Sequence, residues 1–126
     1  MIPATLSAVL TMRERALNSS AAEMERYYRH GIQRIPRAMH AAEVALIAAV
    51  NGPAVGGGMC LAAACDLRVA STNAYFRAAG INNGLTASEL GLSYLLPRAI
   101  GSSRAFEIML TGRDVGAAEA ERIGLV

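Results

Sequence analysis

The chain has 126 residues, a formal net charge of +2 and 53% hydrophobic residues, with 5% aromatic residues and no Trp. That length allows one domain, with a core built from alanine, glycine and branched aliphatics. The mild, scattered charge argues against nucleic acid as a partner. The longest apolar stretch, Val44 to Val50, is far too short for a membrane span. Met1-Ile-Pro-Ala lacks a basic leader, and Arg13 and Glu14 interrupt any apolar run, so the start does not read as a signal peptide. Cys60 and Cys65 lack the spacing of a zinc ligand pair. They read as reduced, buried small residues of a cytoplasmic protein.

Leu6, Val9, Leu10 and Leu17 form a weak helical pattern that Asn18-Ser19-Ser20 stops. Ser20 with Glu23 predicts a capping box. Met24, Tyr28, Ile32, Ile35 and Met39 then predict one core-facing stripe of a helix over 21–40. Pro36 lacks an N–H and should kink or restart that helix. The run from Val44 to Val50 predicts a strand buried on both faces, ended by the turn Asn51-Gly52-Pro53. After Gly56-Gly57-Gly58, residues 59–65 predict a short buried helix and 66–70 a second strand, making one βαβ unit.

Tyr75-Phe76 predicts a short strand and Asn82-Asn83-Gly84 a turn. Thr86 or Ser88 is the expected cap of a helix reaching about Leu96, where Pro97 should break it. Ser102 or Ser103 should cap a helix over 104–110, before Thr111-Gly112. A last helix over 117–123 is entered through Gly116, with Gly124 as its C-cap. The fold class is therefore α/β.

Three successive glycines between a strand and a helix need a physical reason, because each costs about 0.5–1 kcal/mol against alanine inside a regular element. Such a turn lets a backbone approach another group closely or reach positive φ. At a helix N-terminus it also exposes N–H donors to an oxyanion. A ligand-free tight turn explains the same residues. No Gly-Lys-Ser/Thr follows, and Gly-x-Gly-x-x-Gly is absent in the right frame, so nucleotide loops are poorly supported.

The run from Val44 to Ala70, containing Asn51-Gly52-Pro53-Ala54-Val55-Gly56-Gly57-Gly58, resembles the signature segment of the crotonase superfamily, the enoyl-CoA hydratase/isomerase family. Leu95-Leu-Pro-Arg-Ala-Ile-Gly101, Leu110-Thr-Gly112, Ala117-Ala-Glu-Ala120 and Gly124-Leu-Val126 resemble the family's following segments in the same order. The resemblance covers about residues 21–126. It implies an incomplete crotonase-like ββα-spiral domain over 1–126, cut at both ends. It also implies an acyl-CoA thioester substrate, with no cofactor because coenzyme A is part of that substrate. Gly57 is implied as one of two backbone donors to the thioester oxygen, with Gly56 and Gly58 as its substrate-binding neighbours. The segment that supplies the second donor is not found in 1–20. A homotrimer or hexamer is expected of full-length members.

The positions of the hydratases' two acid/base carboxylates fall, by the same matching, on Cys60 and Gly80. Neither can replace a carboxylate. Glu89, after a one-residue shift, falls where the superfamily's dienoyl-CoA isomerases have a catalytic aspartate. A single carboxylate there would suit isomerisation better than hydration. Glu89 also suits the first turn of a helix, where the macrodipole favours an acid. The rival to an enoyl-CoA hydratase/isomerase is a non-catalytic acyl-CoA-binding protein, or an inactive fragment, on the same fold.

Other residues have plainer readings. Asp66 reads as structural, and His30 and His40 as exposed. Arg68, Arg77 and Arg98 suit either coenzyme-A phosphates or a solvated surface. Tyr75 and Phe76 suit an acyl pocket or the core.

Overall fold

The computed structural model describes residues 14, 15, 17–86, 88 and 90–126. The pattern at Leu6, Val9 and Leu10 lies outside them. Helix α1 (Ala21–Tyr27) opens with the expected capping box: Ser20 Oγ accepts from Glu23 N, and Glu23 Oε2 accepts from Ser20 N at 2.8 Å. A π-helical turn (Tyr28–Ile32) and Gln33 then separate α1 from α2 (Arg34–His40). The restart places Pro36 in the first turn of α2, where a missing N–H leaves no bond unmade. The expected core stripe is not buried. Met24, Tyr28, Ile32 and Met39 are half-buried and Ile35 is 51% exposed, because the chain lays little against this helix beyond helix α3 (Gly57–Ala64).

The strand expected over 44–50 is shorter and barer than its hydrophobicity suggests. Strand β1 (Ile47–Val50) pairs in parallel with β3 (Leu67–Ala70), in the register Ile47↔Leu67 and Ala49↔Val69. Helix α3 connects them, as a βαβ unit requires. Ala48, Val50 and Ala70 pack on the core, whereas Val44, Ile47, Leu67 and Val69 are 57–70% exposed. Among the described residues, one sheet face packs on the core and the other is exposed.

Asn51-Gly52 carries the chain from this sheet into another. Strand β2 (Pro53–Val55) pairs in parallel with β4 (Tyr75–Arg77), which pairs antiparallel with β5 (Asp114–Gly116). Pro53 opens β2, a position that asks no ladder N–H of it. Ile81–Asn83 forms a short 3-10 turn.

Helix α4 (Leu92–Ile100) is capped by Gly91, at φ 82°, and not by Thr86 or Ser88. It runs through Pro97 instead of breaking there. Leu92, Leu96 and Ile100 form one fully buried face, and burial on both sides of the proline outweighs the lost hydrogen bond. Helix α5 (Ser102–Thr111) starts after Gly101, not after a serine cap, and ends at Gly112 with φ 61°. Helix α6 (Ala117–Arg122) follows Gly116. Gly124, at φ 81°, closes it: its N–H donates to Glu121 O, and that of Leu125 to Ala120 O at 2.8 Å. That pair of bonds is a Schellman motif.

The core lies between α3, α4, α5, α6 and the three-stranded sheet, centred on Phe76, Met59, Leu96, Ile108, Val115 and Leu125. Among the described residues no polar or charged side chain is buried. Phe76 is completely enclosed and fills this core, while Tyr75 is half-buried. Asp66 has the structural role expected of it: its Oδ2 accepts from Leu46 N at 2.8 Å. Cys60 is buried, Cys65 only half-buried because it lies past the end of α3, and neither forms a disulfide.

Candidate functional site

The glycine turn sits where β2 hands over to α3. Gly56 caps the helix at φ 55° and ψ −115°, a conformation that side chains rarely adopt. Its N–H donates to Arg77 O at 2.9 Å, and its carbonyl accepts the first bond of the helix, from Cys60 N at 3.1 Å. The turn is thus anchored to β4 on one side and to α3 on the other. Gly57 and Gly58, the first residues of α3, are exposed, and no described residue accepts a hydrogen bond from their N–H groups. These are the orphan donors of a helix start.

Space around the turn is uneven. A Cβ at Gly58 would meet nothing within 4 Å, whereas one at Gly57 would touch Leu90 Cδ1 at 3.6 Å and one at Gly56 the Ala79 Cβ at 3.9 Å. Leu90 and the Ala79–Gly80 loop therefore frame the turn. The sequence pattern had not singled out Leu90 or Ala79, since the contacts arise from segments more than twenty residues apart. Glu89 lies outside the described residues; in the sequence it immediately precedes Leu90.

The two positions matched to hydratase carboxylates have different surroundings. Cys60 lies on the buried face of α3. Gly80 accepts from Asn83 N at 3.0 Å and Leu85 N at 2.9 Å, closing the loop on itself. A Cβ at position 80 would overlap the Thr86 carbonyl oxygen. That atom is backbone, so any side chain here requires the 85–86 segment to move.

The arginines considered for phosphates are engaged inside the chain. Arg77 forms a two-pronged pair with Asp114, Nε to Oδ1 at 2.6 Å and Nη2 to Oδ2 at 2.8 Å. This bonding holds the Asp114 carboxyl below its ordinary range and raises the Arg77 guanidinium. Arg68 donates to the carbonyls of Leu125 and Cys65. Arg98 stacks 3.4 Å over the Tyr94 ring and donates to the Tyr94 carbonyl. His30 and His40 are exposed, as expected. Among the described residues no group of three His, Cys, Asp or Glu could hold a metal ion, and no helix is long and apolar enough to cross a membrane.

Comparison with known proteins shows the family of the chain. The family model described as enoyl-CoA hydratase/isomerase matches residues 3–126. A probable enoyl-CoA hydratase of Mycobacterium tuberculosis is 88% identical over 81 residues, covering 64% of this chain and 28% of that protein. The matched segment thus spans less than a third of the length of that relative. A probable enoyl-CoA hydratase/isomerase from Mycobacterium abscessus superposes with a TM-score of 0.73 at 70% identity, over 75% of this chain and 36% of the other. A monofunctional enoyl CoA isomerase from Mycobacterium smegmatis superposes with a TM-score of 0.68 at 72% identity, over 75% of this chain and 44% of the other. The α/β architecture described above is accordingly a partial crotonase domain.

Proposed function

Because this chain belongs to the enoyl-CoA hydratase/isomerase family, we propose that it carries half of an oxyanion hole, with Gly57 N–H as donor, in an enzyme that isomerises an enoyl-CoA thioester. The thioester oxygen becomes enolate-like as a proton leaves the carbon beside the carbonyl. A fixed N–H at that oxygen then acts where charge develops. Gly56 shapes the turn and Gly58 leaves room for the substrate. Glu89 is the proposed base: its carboxylate takes the α-proton and returns it to the γ-carbon, so the double bond moves and nothing is added or lost. Coenzyme A enters as part of the substrate.

The observation that carries isomerisation over hydration is the collision at position 80. Hydration needs one group to activate water and another to manage the second proton. Gly80 has no side chain, its surroundings admit none without a backbone shift, and Cys60 is a buried thiol. The likeness to a monofunctional isomerase supports the same choice. The assay is turnover of 3-enoyl-CoA and 2-enoyl-CoA substrates by the protein and by Glu89→Gln. Isomerisation without hydration, lost in the variant, is the expected result; full activity in Glu89→Gln excludes Glu89 as the base.

A second reading, acyl-CoA binding without catalysis, is favoured by the same loss of both hydratase carboxylates. Turnover of any acyl-CoA overturns it.

A further inference from the structure

The donor at Gly57 is only as fixed as the peptide that carries it. That peptide joins Gly56 to Gly57, so the Gly56 carbonyl and the Gly57 N–H share one plane. The carbonyl is held within α3, where it accepts from Cys60 N at 3.1 Å. One residue back, the Gly56 N–H donates to Arg77 O at 2.9 Å. Of these two bonds, only the second leaves the turn and its helix. Glycine has little torsional preference of its own. The direction of the Gly57 N–H therefore depends on where β4 holds the Arg77 carbonyl.

Arg77 is the last residue of β4, opposite Val55 in one ladder and Asp114 in the other. Strands β2, β4 and β5 are each three residues long, shorter than most strands, so few ladder bonds secure the end of β4. The Arg77–Asp114 pair adds a cross-strand restraint at that end. Its two parallel bonds, at 2.6 and 2.8 Å, fix the guanidinium plane against the carboxylate. Two residues further on, Ala79 comes up to the turn: a Cβ at Gly56 would lie 3.9 Å from the Ala79 Cβ. The stretch that Asp114 secures thus meets the turn twice. The Arg77 and Asp114 side chains are 41% and 47% exposed, so water screens the pair and its effect is graded.

We propose that Asp114 is a positioning residue for the oxyanion site: through Arg77 it fixes the part of β4 that aims the Gly57 N–H at a thioester oxygen. The proposal rests on the oxyanion reading of Gly57. An edge-strand ion pair that only adds stability has the same geometry, so the experiment must read the donor itself.

The test is infrared difference spectroscopy of bound hexanoyl-CoA, isotopically labelled at the thioester carbonyl. A hydrogen bond to that oxygen weakens the C=O bond and lowers its stretching frequency. Spectra are compared for the unaltered chain, Asp114→Asn, Arg77→Gln and Ile108→Val, each saturated with ligand and shown to be folded by circular dichroism. Ile108 is buried on α5, so Ile108→Val lowers stability without touching the pair. The unaltered chain and Ile108→Val should show the same ratio of lowered to unlowered carbonyl band. That ratio should fall about twofold to fivefold in Asp114→Asn and in Arg77→Gln, as expected for loss of a partly exposed ion pair. A ratio unchanged in either variant of the pair overturns the proposal and leaves the oxyanion reading standing. An equal fall in Ile108→Val reports lost stability, not lost aim, and overturns it too. If Asp114→Asn does not fold, Arg77→Gln decides alone. Bound thioester with no lowered band in the unaltered chain, or no binding, overturns the oxyanion reading and this proposal together.

Discussion

Arg68 Nε donates to the carbonyl of Leu125 at 2.6 Å, tying strand β3 to the turn that closes α6. The same guanidinium reaches Cys65 O at 2.7 Å and Ala63 O at 3.5 Å, so one side chain serves carbonyls at the end of α3 and at the C-terminal turn. Leu125 itself is buried in the core, and Arg68 is half-buried above it.

Truncating this clamp should loosen the C-terminal turn. Arg68→Ala leaves partly desolvated carbonyls without donors, a cost of about 1–3 kcal/mol, and the thermal midpoint by circular dichroism should fall by several degrees. Arg68→Lys should recover part of it, because an ammonium cannot fork between two carbonyls. A melt of Arg68→Ala that matches the unaltered chain would show the bonds to be energetically neutral.

Gly80→Ala should be destabilising although it adds only a methyl group. The added carbon meets the Thr86 carbonyl, and overpacking against backbone typically costs about 1–3 kcal/mol. Gly80→Glu should be no better and should not create hydratase activity. The denaturant midpoint of Gly80→Ala measures the first point; a value equal to that of the original chain would mean that the loop yields freely.

Acid should weaken the ties of α5 and α6 to the segment between them. Arg113 bridges Glu107, at 2.7 and 2.8 Å, and Glu119, at 2.8 and 2.9 Å. These bonds lower both carboxyls, and Arg77 lowers that of Asp114. A carboxyl lowered on folding adds stability that is complete above its unfolded value, about 4. That stability is lost as pH falls through the folded value. Urea midpoints should therefore drop below about pH 4, less steeply in Arg113→Gln, and high salt should blunt the difference because these groups are largely exposed. Parallel pH profiles for the two proteins would refute the assignment.

The bare face of the β1–β3 sheet should behave as a sticky patch. Ile47 pairs with Leu67 and Ala49 with Val69 on that face, and Ile47, Leu67 and Val69 are all more than half exposed. The isolated chain should bind an apolar reporter dye, and Leu67→Lys with Val69→Thr should reduce that fluorescence and raise solubility. Dye binding unaltered by the pair of substitutions would locate the patch elsewhere.

Local signals in the sequence proved the most legible. Ser20 with Glu23, and Gly124, act through bonds within three to five residues, so their chemistry can be read from neighbours alone. Helix α4 departs from its expected bounds at both ends for the opposite reason. Its cap is a glycine in the left-handed region, and its passage through Pro97 depends on the burial of Leu96 and Ile100 by other elements.

The sequence alone determined the strand–glycine–helix order and the family, because these follow from backbone sterics and short-range patterning. Only the tertiary structure decided that Leu90 lies where a side chain at Gly57 would point, that the Thr86 carbonyl fills the space beside Gly80, that Arg77 is engaged by Asp114, and that one face of the β1–β3 sheet is uncovered among the described residues. Each of these depends on which distant segment, if any, arrives at a given surface, and hydrophobic periodicity records the need for burial without naming the partner that supplies it.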